Sequence, residues 1–216
     1  MEEFKIAIVV PAYNEELTLP IVINSIKEYG QLIIVNDGST DSTAKIAFDH
    51  GTVLINHKSN KGYEKALSSG FKKADEMNCD AVITFDADGQ HSPDSLKEYI
   101  RLLKEGNDLV LGIRPKTQRF AEWVFKQYTN LFFNWADPLC GMKGYSMRLY
   151  RNKGCYNSYS SVGTELAHYG LSNQYKFCQV PLEINSRNDK PRFASIFTSN
   201  ILIFEALFNM IFRFNK

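Results

Sequence analysis

The sequence predicts an α/β domain built on a mainly parallel, doubly wound sheet, and three observations carry that reading. Apolar runs and helical periodicities alternate five times between residues 5 and 113, the pattern of right-handed βαβ crossovers that place helices on both faces of a sheet. Polar loops follow the first, second and fourth apolar runs, where an open parallel sheet binds its ligands. With 216 residues, the chain can bury one such core without disulfides or metal staples.

The elements follow in order. Lys5-Ile6-Ala7-Ile8-Val9-Val10-Pro11 is an apolar run closed by proline, a buried strand rather than a leader peptide. After Ala12-Tyr13-Asn14-Glu15-Glu16, the residues Leu19, Val22, Ile23 and Ile26 recur at helical spacing until Gly30. Leu32-Ile33-Ile34-Val35 is a second strand, and Asn36-Asp37-Gly38-Ser39-Thr40-Asp41 offers a turn and N-caps for a helix over 42–49. A strand over 52–56, a helix over 62–77 and a strand over 81–85 come next. Ser92-Pro93-Asp94 is expected to cap the following helix with proline in its first turn. A strand at 109–113 ends the regular half. Beyond it the pattern predicts a helix over 118–135, a Gly-containing segment 141–150, a helix 163–171, a strand 176–184 and a long helix from about 194. No repeat or linker intervenes, so one domain is expected.

Composition narrows the function classes. Lys and Arg total 25 against 24 Asp and Glu, a net charge of +1, so nothing suggests nucleic acid as a partner and any charged site is local. Cys79, Cys140, Cys155 and Cys178 show no CxxC spacing, which points to a reduced, cytoplasmic setting without structural zinc.

The chemistry is expected at the loops. In Phe85-Asp86-Ala87-Asp88-Gly89-Gln90 an apolar strand runs into Asp86, Asp88 and Gln90 at alternate positions. Such hard oxygen donors suit Mg²⁺ or Mn²⁺ with substrate phosphates completing the shell, and the bland alternative is a solvated Asp-Gly turn. Tyr13, Glu15 and Asp37 together suit a nucleotide, the ring packing a base or ribose and the carboxylates accepting its N–H and hydroxyl groups. Neither G-x-G-x-x-G nor G-x-x-x-x-G-K occurs, so a dinucleotide or P-loop site is not indicated.

Four ordered motifs then resemble one family. Val10-Pro11-Ala12-Tyr13-Asn14-Glu15-Glu16, Val35-Asn36-Asp37-Gly38-Ser39-Thr40-Asp41, Asn60-Lys61-Gly62 with Ala66 and Gly70, and Asp86-Ala87-Asp88-Gly89-Gln90-His91 are similar to those of family 2 glycosyltransferases with the GT-A fold. With Asp137-Pro138-Leu139-Cys140-Gly141-Met142-Lys143-Gly144-Tyr145, they most resemble the dolichyl-phosphate mannose synthase group and its bacterial polyprenyl-phosphate relatives. The resemblance implies a nucleotide-sugar and metal-binding half over 1–115 and an acceptor-side half over 116–216. It implies that Pro11, Ala12, Tyr13, Glu15, Val35, Asp37, Lys61 and Asp86 hold a GDP- or UDP-linked sugar, and that Asp86, Asp88 and Gln90 hold the metal. Arg114 falls where such enzymes face the acceptor phosphate, and Arg187 and Arg192 match a basic loop over the phosphates. Cys140 stands where the group commonly has serine.

Sugar transfer passes through an oxocarbenium-like state while the leaving diphosphate gathers charge, which a divalent ion and arginines stabilise. A phosphate acceptor is nucleophilic without a base. A glycan hydroxyl needs one, for which Glu165 and Asp137 are the candidates. His91 and His168 read as structural, since neither has a sequence partner to tune it. A catalytically silent nucleotide-sugar-binding subunit is the alternative from another class.

Of the 28 aromatic residues, 13 fall in windows 117–135 and 193–214, which together hold 41 residues, against about five for an even spread. In the first, Arg119, Glu122, Lys126 and Asn130 form one polar stripe on an otherwise aromatic helix. In the second, Thr198, Glu205, Asn209 and Arg213 do the same, and the apolar run is too interrupted to span a bilayer. A peripheral enzyme is therefore expected, one that touches the cytoplasmic face of a membrane itself, self-associates, or borrows a small membrane partner subunit.

Overall fold

All of β1 (Ile6–Ala12) except Pro11 is buried, and its side chains divide between two cores. Ile6, Ile8, Val10 and Ala12 enter one, Ala7 and Val9 the other. A parallel strand covered on both faces has no wet side, which is why the run shows no polar alternation. The same holds in β2 (Gln31–Asn36), where Leu32 and Ile34 face the first core and Ile33 and Val35 the second.

The computed structural model describes residues 3–115, 119–183 and 196–213. The remaining elements are α1 (Leu19–Ile26), α2 (Thr43–Asp49), β3 (Val53–Asn56), α3 (Tyr63–Glu76), β4 (Ala81–Thr84), α4 (Ser95–Lys104), β5 (Leu109–Ile113), α5 (Phe120–Phe133), β6 (Lys143–Ser146), α6 (Met147–Lys153), α7 (Glu165–Ser172), β7 (Phe177–Pro181) and α8 (Ile196–Arg213). The strands form one sheet in the order β3-β2-β1-β4-β6-β5-β7. Every pairing is parallel except those of β6, which runs antiparallel between β4 and β5. The order reverses at β1, with β2 on one side and β4 on the other, so the crevice beyond the carboxyl ends of β1 and β4 is the switch point at which such sheets bind ligands.

α1 and α4 cover one face of the sheet, through residues such as Ile23, Ile26, Leu96 and Leu103. α3 covers the other through Ala66, Leu67 and Phe71. It lies so close that a Cβ on Gly70 would stand 2.2 Å from Val9 Cγ1.

The Gly-containing segment takes a definite form, and the patterns expected for α4, α5 and α8 need correction. The segment 141–150 holds a strand and the start of a helix, with Ser146 accepting the Leu149 N–H as a side-chain cap. Helix α4 begins at Ser95 with Asp94 as N-cap, so Pro93 precedes the cap instead of sitting in the first turn. In α5 the polar stripe does not face solvent as a unit: Glu122 is buried with Ala121, Phe125 and Thr129, while Phe120, Trp123, Leu131 and Phe132 are exposed. In α8, Asn209 is likewise buried, donating to the Ser160 carbonyl at 3.0 Å. α5 and α8 pack together, and Ile201, Leu202, Phe204, Phe208 and Phe212 extend the exposed apolar surface along α8. No helix among the described residues is long and apolar enough to cross a membrane.

Candidate active site

β4 delivers Asp86 two residues past its end, at the switch point. Its carboxylate accepts from the Tyr63 hydroxyl at 3.1 Å, and its other oxygen lies 3.1 Å from His91 Nε2. Burial works against ionisation there, but the hydrogen bond and charge of His91, the Tyr63 hydroxyl and nearby Lys143 prevail and lower the Asp86 pKa. His91 therefore has the partner that its sequence neighbourhood did not advertise. Asp88 and Gln90 are half-buried in the same loop, the Gln90 N–H donating to Asp88 Oδ1 at 3.1 Å.

Lys143 is the first residue of β6, opposite Thr84 at the end of β4. Only 4% of it is exposed. Its ammonium donates to the Gly163 carbonyl at 3.2 Å and lies 6.0 Å from the centre of the Trp135 ring. Burial lowers its pKa to about 8, against the opposing pull of Cys140, Asp137 and Asp86. A buried cation is costly unless charge nearby offsets it.

Among the residues expected to hold a nucleoside, Tyr13 follows β1 and is 39% exposed, and Glu15 is buried and accepts from Thr18 Oγ1 at 2.6 Å. Asp37 is buried past the end of β2, where it accepts from the Lys61 and Gly62 N–H groups at 2.9 and 2.8 Å and lies 2.6 Å from His57 Nδ1. It thereby ties the second loop to the start of α3. Val35 is wholly in the core and Ala12 is buried, Pro11 is half-buried, and Lys61 is exposed.

On the opposite side, Asp137 grips Arg114 through both carboxylate oxygens, at 2.8 Å to Nε and 2.9 Å to Nη2. Glu122 of α5 accepts from Arg114 at 3.2 Å and from Arg119 at 2.8 Å. This is why a charged residue of α5 turns inward. Burial opposes the Arg114 charge, but Asp137 more than compensates and raises its pKa. Cys140 is fully buried next to this cluster, its thiol pushed up to about 12 by burial. Glu165, at the start of α7, accepts from Lys153 Nζ at 2.6 Å, from the Ser158 N–H and hydroxyl at 2.6 and 2.7 Å, and from the Tyr159 N–H at 3.3 Å. Arg187 and Arg192 lie outside the described residues.

Residues 7–162 match the model of the family described as Glycosyl transferase family 2. The chain belongs to that family. Among relatives of this family 2 protein, the UDP-N-acetylglucosamine–dolichyl-phosphate N-acetylglucosaminyltransferase of Methanococcus voltae is 34% identical over 139 residues, 55% of each chain. An undecaprenyl-phosphate 4-deoxy-4-formamido-L-arabinose transferase of Proteus mirabilis is 32% identical over 163 residues, 68% of this chain and 49% of that one. The match thus spans about half the length of both relatives. Glucosyl-3-phosphoglycerate synthase of Mycobacterium tuberculosis, solved with Mn²⁺, uridine diphosphate and glucosyl-3-phosphoglycerate, superposes with a TM-score of 0.76 over 96% of this chain and 78% of that one. At 19% identity that likeness establishes the fold.

Among the described residues of this family 2 protein, no three His, Cys, Asp or Glu side chains converge as a metal site. Asp86, Asp88 and Gln90, at alternate positions of one loop, offer side-chain oxygens as donors. That fits Mg²⁺ or Mn²⁺ shared with phosphate oxygens better than an ion caged by protein alone. Gly141 packs directly against the Asp86 carboxylate, since a Cβ there would stand 2.2 Å from Asp86 Oδ2. Gly141→Ala is accordingly expected to displace the Asp86 carboxylate and abolish Mn²⁺-dependent binding of uridine diphosphate in calorimetry. Unchanged binding would show that Asp86 does not meet the metal. Sequence reasoning missed Tyr63, His91, Glu122 and Lys143, whose partners lie on other elements or, for His91, across a loop turn.

Proposed function

We propose that this protein is a metal-dependent, inverting glycosyltransferase that moves a sugar from a uridine diphosphate donor to a polyprenyl phosphate at the cytoplasmic face of a membrane. One observation carries the choice of acceptor. Both carboxylates that could serve a hydroxyl acceptor as base are engaged in buried ion pairs, Glu165 with Lys153 and Asp137 with Arg114. An acceptor that is already an ionised phosphate needs no base. The printed activities of the Methanococcus and Proteus relatives, both toward polyprenyl phosphates, support the same reading. The uridine donor rests on the first of these and on the nucleotide bound in the Mycobacterium neighbour.

In this reading Tyr13, Glu15 and the Asp37 loop hold the nucleoside beside β1 and β2. Asp86, Asp88 and Gln90 hold Mg²⁺ or Mn²⁺, which when bound neutralises charge on the departing diphosphate. Tyr63 and His91 keep the Asp86 carboxylate aimed and ionised. Asp137 and Glu122 fix the Arg114 guanidinium toward the acceptor phosphate, and Lys143 adds a buried positive charge between the two halves. These groups are set before the reaction, so little reorganisation is needed as charge develops. The test is transfer from labelled UDP-N-acetylglucosamine or UDP-glucose to undecaprenyl phosphate in detergent with Mn²⁺. An organic-soluble, chelator-sensitive product is expected, and no product from any UDP- or GDP-sugar would sink the proposal.

The exposed apolar faces of α5 and α8 supply the membrane contact, since Phe and Trp side chains favour the headgroup boundary. Flotation with anionic vesicles should carry the protein upward, and Trp123→Glu with Phe208→Glu should leave it at the bottom with an unchanged melting temperature. Wild-type protein that stays at the bottom as a folded monomer would remove the membrane claim.

A glycan hydroxyl acceptor remains the second reading, and the Glu165–Lys153 pair reshapes its test. Glu165→Gln alone leaves a buried Lys153 charge without its counter-ion, which typically costs about 3–5 kcal/mol. Lys153→Met with Glu165→Gln removes both charges, and stable, active double variant in a transfer assay is expected if Glu165 only anchors the loop. A stable but inactive double variant would favour Glu165 as the base.

A further inference from the structure

Residues 155–164 are pinned from several sides. Glu64, in the first turn of α3, accepts at one oxygen from the Ser161 N–H at 3.0 Å, the Ser161 hydroxyl at 2.6 Å and the Gly163 N–H at 3.0 Å. The Gly163 carbonyl takes the Lys143 ammonium. Between the two amides that Glu64 holds lies Val162, with φ +52°. That is the left-handed region, where a β-branched residue is a genuine outlier. Val162 is 38% exposed, whereas Ser161 and Thr164 are fully buried. Strained residues persist where their surroundings over-determine them, and they gather at ligand clamps.

The turn stands beside the candidate metal loop. A Cβ on Gly163 would lie 3.6 Å from the Tyr63 ring, and the Tyr63 hydroxyl reaches Asp86. The start of α3 thus ties three segments together: Asp37 through the Lys61 and Gly62 N–H groups, Asp86 through Tyr63, and residues 161–163 through Glu64. At its tip the turn offers neither charge nor a side-chain hydrogen bond. A branched apolar group suits the C–H face of a pyranose and not a phosphate.

We propose that the Ser161–Gly163 turn is the wall that meets the transferred sugar, with Val162 as its specificity-determining contact and Glu64 as the positioning residue that holds it. This rests on the glycosyltransferase reading above. The test measures, with Mn²⁺, the affinities of uridine diphosphate, UDP-N-acetylglucosamine and UDP-glucose by calorimetry, and the rate of uridine diphosphate release from each donor as its sugar is transferred to added undecaprenyl phosphate. Val162→Asn keeps a residue that tolerates positive φ and changes the side chain. It should shift the ratio of the two sugar-nucleotide affinities by about fivefold or more while leaving uridine diphosphate binding within about twofold, since small changes in a sugar pocket discriminate on that scale. Glu64→Ala should erase the discrimination between the two sugars and slow release by about tenfold, with Glu64→Gln, which keeps an oxygen acceptor, recovering part of both.

An unchanged affinity ratio in Val162→Asn overturns the inference, as does a wild-type release rate in Glu64→Ala. Should Glu64→Ala fail to fold, Val162→Asn decides alone. Wild-type protein that does not bind uridine diphosphate with Mn²⁺ overturns the glycosyltransferase reading and this inference with it. Wild-type binding with a neutral Val162→Asn overturns only the role of the turn.

Discussion

Asp88→Ala is expected to lower sugar transfer by about 10²–10³-fold, or roughly 2.7–4 kcal/mol in the barrier, the usual loss when one preorganised electrostatic partner of a developing charge is removed. The fold should be nearly unaffected. Asp88 sits half-buried in a loop beyond β4, outside the sheet and helices, where it accepts the Gln90 N–H at 3.1 Å. Asp86 is the poorer test, because its removal also strands the Tyr63 hydroxyl and His91. Turnover at saturating Mn²⁺, read beside a thermal melt, separates lost chemistry from lost structure. Wild-type turnover in Asp88→Ala would remove the metal assignment.

Lys143→Met should make the protein more stable and less active. In the folded protein the ammonium titrates near 8, against 10.5 for an exposed lysine, a difference of about 3 kcal/mol carried by the charged form. Below pH 8 both folded and unfolded chains are protonated, and the folded state bears the whole burial penalty. Between pH 8 and 10.5 the folded state sheds its proton first, the unfolded chain holds more protons, and wild-type stability rises with pH. Methionine carries no such penalty. Denaturant unfolding should therefore show Lys143→Met more stable by up to about 3 kcal/mol at pH 7, less what is lost with the Gly163 hydrogen bond, and the gap should close towards pH 10.5. Transfer activity should fall at the same time, because the buried charge beside Asp86 and Asp137 is gone. Parallel pH profiles for the two proteins would show that Lys143 is not a buried cation.

The first half of the chain was open to sequence reasoning because its signals are local. Ile6 to Val10 and Leu32 to Val35 are continuous apolar runs, and α1 and α3 repeat apolar residues on a helical period, so each element declares itself without its neighbours. The carboxylates Asp86 and Asp88 were visible for the same reason, directly after a buried strand. β6 was not visible. Four residues containing Lys143 and Gly144 have no period to read, and they are a strand because β4 and β5 flank them with free edges. Glu122 misled for a related reason: its spacing placed it on a polar stripe, yet Arg114, eight residues earlier, draws it inward.

What the sequence by itself determined is the α/β alternation, the placing of Tyr13, Asp37 and Asp86 at the carboxyl ends of β1, β2 and β4, and the aromatic excess of the last hundred residues. These follow from periodicity, from turn chemistry and from composition, all properties of short stretches of chain. The tertiary structure alone decided how the charges are used. Whether Asp137 and Glu165 act as bases or counter-ions, whether Lys143 is solvated or buried, and which face of α5 is wet depend on partners 8 to 59 residues away. Burial makes an ionised group dependent on its nearest opposite charge, and that neighbour is set by packing, not by sequence position.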